Sequence, residues 1–221
     1  MTNEADDSSI IEAEVAVVGG GLAGLEAARR LHDQDVDVEV LEARDRVGGR
    51  VLSQEVDGEV VELGAQWIGP GQDAVREVVD EFGIETFDQY VDGVSQFRVA
   101  DEVCRDEEVV LALPQSAQEE LMSAIAKIET QSREVPPEAP YDAPKADEWD
   151  SMTAATWRDR EISTREGRDA FDATVRAVFA SEPAELSWLY FLFYVRAAGG
   201  FARLPSVEGG AQQTRIEGGA Q

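Results

Sequence analysis

The sequence predicts an α/β protein built on a parallel sheet, and three observations support this. An apolar segment at 13–18 runs into a glycine-rich turn at 19–24, and a helix-forming segment follows as far as residue 32. A second apolar segment, 36–41, comes next. A strand, a helix and a strand in this order form a βαβ unit, whose two strands are parallel. Further along, the chain carries mostly helical periodicity, so we expect a second, mostly helical part.

The glycines of the turn have the spacing Gly19-x-Gly21-x-x-Gly24, which is the dinucleotide fingerprint when a strand precedes it and a helix follows. The first glycine permits the tight turn, the second lets the backbone approach a pyrophosphate, and the third lets the helix pack on the strand. The helix N-terminus offers N–H groups to phosphate. The predicted cofactor-binding residues of this turn are Gly19, Gly21, Leu22, Ala23 and Gly24.

An acid, Glu42, closes the second strand, about 20 residues beyond the turn, where a carboxylate can accept hydrogen bonds from a ribose. It would also repel a 2′-phosphate, which argues against NADP. An ordinary βαβ unit with a glycine-rich turn remains the alternative at this point.

Composition narrows the possible partners. The 221 residues carry 46 acids against 19 bases, a net charge of −27 spread along the chain. Such a surface repels nucleic acid and anionic membranes. Since molar salt shortens the Debye length to about 3 Å, the charge predicts a salty cytoplasm, as in halophilic archaea; an acidic mesophile protein is the alternative. The N-terminus lacks the pattern of a signal peptide, and the longest apolar run, 188–195, is too short to span a membrane.

Metal and disulfide chemistry are not predicted. Cys104 is the single cysteine, expected on a half-buried strand, and His32 is the single histidine, expected on a solvated helix face. One residue of each type cannot build a zinc site, and one cysteine cannot form an intrachain disulfide.

Other segments have clear local signals. Strands at 51–56 and 59–63 flank Asp57-Gly58, which predicts a hairpin. Further elements are predicted as follows: helices at 73–82, 114–129, 151–157, 164–180 and 186–197, strands at 94–99 and 103–110, and a solvated loop at 135–148. The helix at 186–197 is apolar nearly all round, so we expect it to be buried or to face a cavity, with exposed apolar surface where its cover is missing.

Three segments resemble the flavin-dependent amine oxidase family, and in particular its monoamine-oxidase branch. Residues 41–50 read LEARDRVGGR and residues 63–70 read LGAQWIGP. The third segment, 188–219, resembles the family more loosely. The family is about twice as long as this chain, so the resemblance is to its N-terminal half.

The resemblance implies FAD as cofactor and a role for each matching residue. The turn glycines would hold the pyrophosphate and Glu42 the adenosine ribose, with Arg44 along the adenosine. Gly49 and Arg50 would lie beside the pyrophosphate. A further segment, Gly64, Ala65, Gln66 and Trp67, would pass next to the isoalloxazine ring. Surface pairing with nearby acids is the alternative to a cofactor role for Arg44 and Arg46, and it is the favoured interpretation for Arg46.

The resemblance indicates substrate-side residues less specifically than it indicates cofactor-binding residues. Leu204 and Gln213, or Gln212 in its place, would lie near the substrate cavity. Five aromatic residues could line it or form core: Trp157, Phe171, Phe179, Phe191 and Tyr194. No catalytic residue is assigned, because neither Lys127 nor Lys145 matches the active-site lysine of the family.

The implied organisation is a Rossmann-like FAD-binding domain with an inserted, mostly helical substrate domain, incomplete at the C-terminus. The boundaries are a disordered lead-in at 1–11, the first part of the FAD-binding domain at 12–89, a partial substrate domain at 90–207 and the start of the return at 208–221.

The implied activity is FAD-dependent oxidation of small amines by O2, with the hydride passing to flavin N5. The second half, on a separate chain, is a candidate partner, and we expect this chain alone to be inactive. Three alternatives stay open: a related flavoenzyme of the carotenoid desaturase or protoporphyrinogen oxidase type, a non-catalytic fragment of a truncated or split gene, and an NAD-dependent reductase, which would explain only the first motif.

Overall fold

The computed structural model describes residues 11–99, 102–106 and 113–221. The chain forms two compact units. The first comprises the described part of Met1–Gln66 with Ile84–Thr86 and Arg215–Gln221. The second comprises Trp67–Gly83 and the described part of Phe87–Thr214.

The first unit opens with the predicted βαβ unit. Strand β1 (Val15–Val18) pairs in parallel with β2 (Val38–Leu41), with Val15 opposite Val38, and helix α1 (Leu22–His32) connects them. On α1, Glu26 accepts hydrogen bonds from the guanidinium groups of Arg29 and Arg30 one turn later. The two strands are shorter than the sequence predicts, but the helix has the predicted bounds.

The predicted hairpin follows. Strands β3 (Ser53–Val56) and β4 (Glu59–Glu62) pair antiparallel, with Val56 opposite Glu59. Asp57 and Gly58 both have positive φ, at 54° and 87°, as a two-residue hairpin turn of type I′ requires.

The second unit is mostly helical. Its helices are α2 (Asp73–Glu81), α3 (Gln115–Ser132), α4 (Ala146–Asp150), α5 (Ala154–Glu161), α6 (Arg165–Phe179) and α7 (Trp188–Ala197). Strands β7 (Ser95–Val99) and β8 (Glu102–Asp106) pair antiparallel. The predicted second strand reached residue 110, but 107–110 lie outside the described residues, as does the side chain of Cys104.

Three short strands complete the chain: β5 (Trp67–Ile68), β6 (Thr86–Asp88) and β9 (Thr214–Ile216). In the second unit, Gln89 N donates to Gln213 O at 2.7 Å. In the first unit, Glu217 N donates to Glu85 O at 2.9 Å.

The hydrophobic core of the described residues lies in the second unit. Helix α7 supplies its centre, because Trp188 stacks on Trp157 with ring centroids 4.1 Å apart and on Phe191 at 4.8 Å. Helices α3, α5 and α6 pack around it, with Ile128 and Phe171 fully buried. The prediction that 186–197 is buried is therefore confirmed, but the expectation that it lacks cover is wrong: its exposed rings are only Tyr190 and Tyr194.

Burial differs from the prediction at the first strand. We expected β1 to be buried, but Val18 is 86 % exposed and Ala16 is exposed as well. The physical reason is that, within the described residues, β1 pairs only with β2, so one side of this parallel pair has no covering layer.

The solvated loop predicted at 135–148 is confirmed for most of its length, because 136–142 and 144–145 are exposed or half-buried, but it is wrong at three points. Helix α4 begins at Ala146 and buries Trp149, while Val135 and Ala143 are buried before it. The prolines of this segment suggested a solvated loop, but its apolar side chains anchor it to the core. The helix predicted at 151–157 begins later, at Ala154, and is capped by Thr153, whose hydroxyl accepts from Thr156 N.

The compact units do not coincide with the predicted domain boundaries. Residues 67–83, predicted with the first domain, belong to the second unit, as do 208–214, predicted with the return segment. The assignment of functions to domains remains a prediction.

Candidate functional site

The glycine turn of the first unit is open where a ligand would approach and tight where the helix must pack. Gly19 has φ of +103°, and a Cβ there would meet nothing within 4 Å. A Cβ at Gly24 would lie 2.0 Å from Gly19 O, so only glycine fits that position. Helix α1 starts after Gly21 with no side chain capping it, and Leu22 and Ala23 are exposed. The turn therefore has the local features that the fingerprint predicts.

Glu42 lies directly against this turn. Its Oε2 accepts from Gly20 N at 2.7 Å, and its Oε1 accepts from Arg44 N at 3.0 Å. These hydrogen bonds, that from Arg44 N first, hold the pKa of the Glu42 carboxyl below its usual value of 4.5. A carboxylate oxygen has capacity for more than one donor, so Glu42 can still accept from a ribose hydroxyl.

The second glycine loop reaches the first. Gly48 N donates to Gly20 O at 2.8 Å, and a Cβ at Gly49 would lie 3.1 Å from the Cα of Gly21. Gly48 and Gly49 both have positive φ, at 98° and 62°. The structure thus brings the two glycine motifs into backbone contact, which the sequence alone did not predict.

Arg46 differs from the prediction. Its guanidinium donates to three backbone carbonyls of its own loop: Val47 O and Val51 O, each at 3.1 Å, and Gly49 O at 2.9 Å. It forms no ion pair with any described carboxylate, so the expectation of surface pairing with acids is wrong. The spacing of this arginine, two residues before Gly48-Gly49, is the only sequence signal for its role.

Arg44 and Arg50 are exposed. The backbone of Arg50 contacts the next motif, since Ala65 N donates to Arg50 O at 3.0 Å and a Cβ at Gly64 would lie 2.2 Å from that oxygen. Gly64 is therefore required for packing, and Ala65 lies beside the Gly49–Arg50 segment.

The chain passes from the first unit to the second between Gln66 and Trp67. In the second unit, Trp67 Nε1 donates to Gln89 Oε1 at 2.9 Å, and the Trp67 side chain is partly exposed.

The last residues of the chain also contact this region of the first unit. Gln221 Oε1 accepts from Ser53 N at 3.1 Å, and Gln221 Nε2 donates to Val47 O at 3.1 Å. Ala220 N donates to Glu62 Oε1 at 2.6 Å. These contacts hold the C-terminal residues Ala220 and Gln221 against the second glycine loop and the hairpin. No sequence signal indicates these contacts.

The second unit has a cleft of about 240 Å³ lined by small residues around Tyr194 and Leu204. The other lining residues are Gly69, Pro70, Gly71, Gln72, Ala197, Ala198, Arg203 and Ala211. Gln213 lies outside this cleft, and its Oε1 accepts from Gly209 N at 3.2 Å. Of the five candidate aromatics only Tyr194 lines the cleft, while Trp157, Phe171 and Phe191 are buried core residues.

Within the described ranges, no three or more histidine, cysteine, aspartate or glutamate side chains are placed to share a metal ion. In the same ranges, no helix combines the length and the apolar character that crossing a bilayer requires.

Comparison with known proteins identifies the family. The family model "Flavin containing amine oxidoreductase" matches residues 22–219. The chain is 36 % identical over 209 residues to "Probable flavin-containing monoamine oxidase A" of Dictyostelium discoideum, covering 94 % of this chain and 46 % of that protein. It is 36 % identical to "Amine oxidase [flavin-containing] A" of Canis lupus familiaris, covering 94 % and 40 %.

Comparison with solved structures identifies the same family. Wild-type putrescine oxidase bound to putrescine superposes with a TM-score of 0.85 at 29 % identity, covering 95 % of this chain and 47 % of that one. Cyclohexylamine oxidase from Brevibacterium oxydans IH-35A gives a TM-score of 0.85 at 30 % identity, with the same coverage. The chain spans about half the length of these relatives. It belongs to the family of flavin-containing amine oxidoreductases, whose cofactor is FAD.

Proposed function

We propose that the first unit holds the ADP moiety of FAD and that the chain is the N-terminal half of an amine-oxidising flavoenzyme. The observation that carries this proposal is the Glu42 carboxylate, 2.7 Å from Gly20 N at an open glycine turn. The residues fit the cofactor, because side chains at Gly19 and Gly21 would occupy space that now stands open in front of α1. The family match supports the choice of FAD over a nicotinamide cofactor.

Each residue then has a definite task. Gly19, Gly21 and Gly24 shape the turn so that the N–H groups at the start of α1, around Leu22 and Ala23, face the pyrophosphate. Glu42 stays ionised because of its lowered pKa and accepts from the ribose. Arg44 would contact the adenosine, and Gly49 and Arg50 would contact the pyrophosphate. The residues next to the isoalloxazine ring would be Gly64, Ala65, Gln66 and Trp67.

When bound, FAD would supply the oxidising power to convert the amine to an imine, which hydrolyses, with O2 as the final electron acceptor and H2O2 as its product. The chain contributes binding and orientation of this cofactor. We assign no catalytic residue among the described residues. Leu204, which lines the cleft of the second unit, and Gln213 are proposed substrate-side residues.

Small amines are the proposed substrate class. Two structural neighbours are named for oxidation of putrescine and of cyclohexylamine, and the sequence relatives are monoamine oxidases. These names favour amines over the substrates of carotenoid desaturases or protoporphyrinogen oxidases.

We further propose that the first unit is completed by a polypeptide equivalent to the second half of the relatives, whether it continues this chain or is a separate one. Among the described residues, the first unit exposes several large apolar side chains, including Val18, Leu22, Leu41, Val47, Val56, Val60 and Leu63. Exposed apolar side chains in this number favour a partner that covers them. In this view 12–89 and 208–221 form parts of the FAD-binding domain and 90–207 part of an inserted substrate domain.

By the same proposal the 221 residues alone are inactive, and a non-catalytic fragment is the second candidate function. The net charge of −27 supports a location in the cytoplasm of a halophilic archaeon, where salt screens the repulsion.

The experiment compares two proteins purified in molar KCl: this chain alone, and this chain together with the second half. We expect the chain alone to bind ADP and to retain little flavin. We expect the completed protein to be yellow and to produce H2O2 from putrescine or a monoamine.

A well-folded completed protein that is colourless would contradict the flavin assignment. A yellow protein that oxidises no amine would leave FAD binding intact and contradict the substrate class. Strong flavin retention by the 221-residue chain alone would contradict the need for a second half.

A further inference from the structure

The loop that follows Glu42 is held from one side by a single side chain. The Arg46 guanidinium donates to Val47 O, Gly49 O and Val51 O at 2.9–3.1 Å. A planar guanidinium presents its donors in a fixed fork, so three bonds to one loop fix the positions of three carbonyls relative to each other. Arg46 therefore determines the backbone conformation of Val47–Val51.

The opposite side of this loop faces the first glycine motif. In a trans peptide the C=O and the following N–H point in opposite directions. Because the Val47 carbonyl binds Arg46, the N–H of Gly48 points away from Arg46, and it donates to Gly20 O at 2.8 Å. By the same reasoning, the Gly49 carbonyl on Arg46 turns the N–H of Arg50 away from the guanidinium. In the described part of the chain, this Arg50 N–H has no acceptor.

The close contact between the loops places that N–H near the turn. A Cβ on Gly49 would lie 3.1 Å from the Gly21 Cα, so the two backbones touch immediately before Arg50. An unsatisfied N–H beside a helix N-terminus favours an anion. The positive charge of Arg46 behind the loop, without an ion pair to any described carboxylate, favours it further.

We infer that Arg46 is a positioning residue for the diphosphate of the cofactor: it orients the Gly48–Arg50 backbone so that the Arg50 N–H can donate to a phosphate oxygen. The inference rests on the proposed function, since it concerns the same ADP site. It assigns Arg46 a role through the backbone rather than through a surface ion pair.

The test measures binding of two probes, ADP and adenosine, to the 221-residue chain by titration calorimetry in one high-salt buffer. Adenosine lacks the diphosphate, so the ratio of the two dissociation constants reports on phosphate recognition. For Arg46→Met we expect the dissociation constant of ADP to rise about tenfold, the order expected for one charge-assisted hydrogen bond, while that of adenosine stays unchanged. Circular dichroism checks the fold of each variant.

Two further variants make the test specific. Arg46→Lys keeps the charge but loses the fork, so we expect it to remain folded and to recover only part of the ADP affinity. Arg30→Met removes the same charge from the exposed face of α1, where Arg30 contacts Glu26, and should leave the ADP-to-adenosine ratio unchanged.

Full ADP affinity in Arg46→Lys would overturn the inference, because charge alone would then suffice. Equal loss of ADP and adenosine binding in Arg46→Met, or failure of both Arg46 variants to fold, would reduce Arg46 to a structural residue and overturn it as well. If the unaltered chain binds neither probe, the proposed function itself fails, which is a distinguishable result.

Discussion

Gly24 and Gly21 belong to the same turn, but glycine is needed at the two positions for different physical reasons. Gly24 has no room for a side chain, since a Cβ would lie 2.0 Å from a backbone oxygen that cannot move aside. Gly21 has room: its φ is −80°, and a Cβ would meet only the Cα of Gly49 at 3.8 Å, an ordinary contact. Gly24 is therefore required by the protein, whereas Gly21 is required by the ligand that we propose.

This difference gives a prediction at the scale of the residue. Gly24→Ala should destabilise the first unit by about 3 kcal/mol, the upper end of the usual cost of overpacking. Gly21→Ala should keep the stability of the unaltered chain but weaken ADP binding about tenfold or more, because its methyl group enters the proposed phosphate site. Urea unfolding and ADP titration of the two variants measure both quantities. Unchanged ADP binding in a folded Gly21→Ala protein would contradict the site.

At the scale of the element, a carboxylate joins two helices of the second unit. Glu120 on α3 accepts from Ser163 N, Thr164 N and the hydroxyls of both residues, immediately before α6 begins at Arg165. These hydrogen bonds, that from the Ser163 hydroxyl first, lower the pKa of the Glu120 carboxyl from 4.5 to about 2. Glu120 thus accepts from the backbone N–H of Thr164, the N-cap residue of α6, as the carboxylate of a capping box does.

The sign of the pH effect follows from the lowered pKa. The contribution of Glu120 to stability is fully present above its unfolded value of 4.5 and is lost as the pH falls towards 2. Glu120→Gln should therefore lower the unfolding temperature at pH 7 and reduce its decline between pH 4.5 and 2. The neighbouring acid Glu119, whose carboxylate accepts a hydrogen bond from Gln115 on the same helix, provides the control Glu119→Gln. Parallel pH profiles for Glu120→Gln and the unaltered chain would refute this role.

Sequence reasoning succeeded for elements whose signals are local. The glycine spacing, the Asp57-Gly58 turn and the apolar pattern of 186–197 each depend on neighbouring residues, and α1, the hairpin and α7 form where they predict. It failed where distant packing decides. Helix α4 forms after a proline-rich segment because Trp149 is buried in the core. Strand β1 leaves Ala16 and Val18 exposed because, among the described residues, it pairs with β2 alone.

The candidate site shows the same division. The positions of Glu42 and the glycine turn followed from spacing within one βαβ unit. Spacing did not predict three other features: the contact of Gly21 with Gly49, the hydrogen bonds from Arg46 to loop carbonyls, and the hydrogen bonds of Gln221 to Ser53 and Val47. These features depend on loop conformation and on residues far apart in the chain.

At the scale of the whole molecule, the excess of negative charge is the main influence on stability that we expect. With 46 acids against 19 bases, the chain repels itself at low ionic strength. We expect the unfolding temperature to rise steeply between 0.1 and about 1 M KCl, over which the Debye length falls from about 10 to 3 Å. Differential scanning calorimetry across this series measures the effect, and sucrose of matched osmolality is the uncharged control. An equal gain in sucrose would show that solute exclusion, not screening, is responsible.

The concentration of the hydrophobic core in the second unit has a consequence for the lifetime of the chain. With little buried apolar surface of its own, the first unit depends for order on whatever binds it, so a protease should trim it away and leave a resistant fragment around α3–α7. Nucleotide would then act as a folding ligand, and the supply of flavin in the cell would set how long the first unit survives.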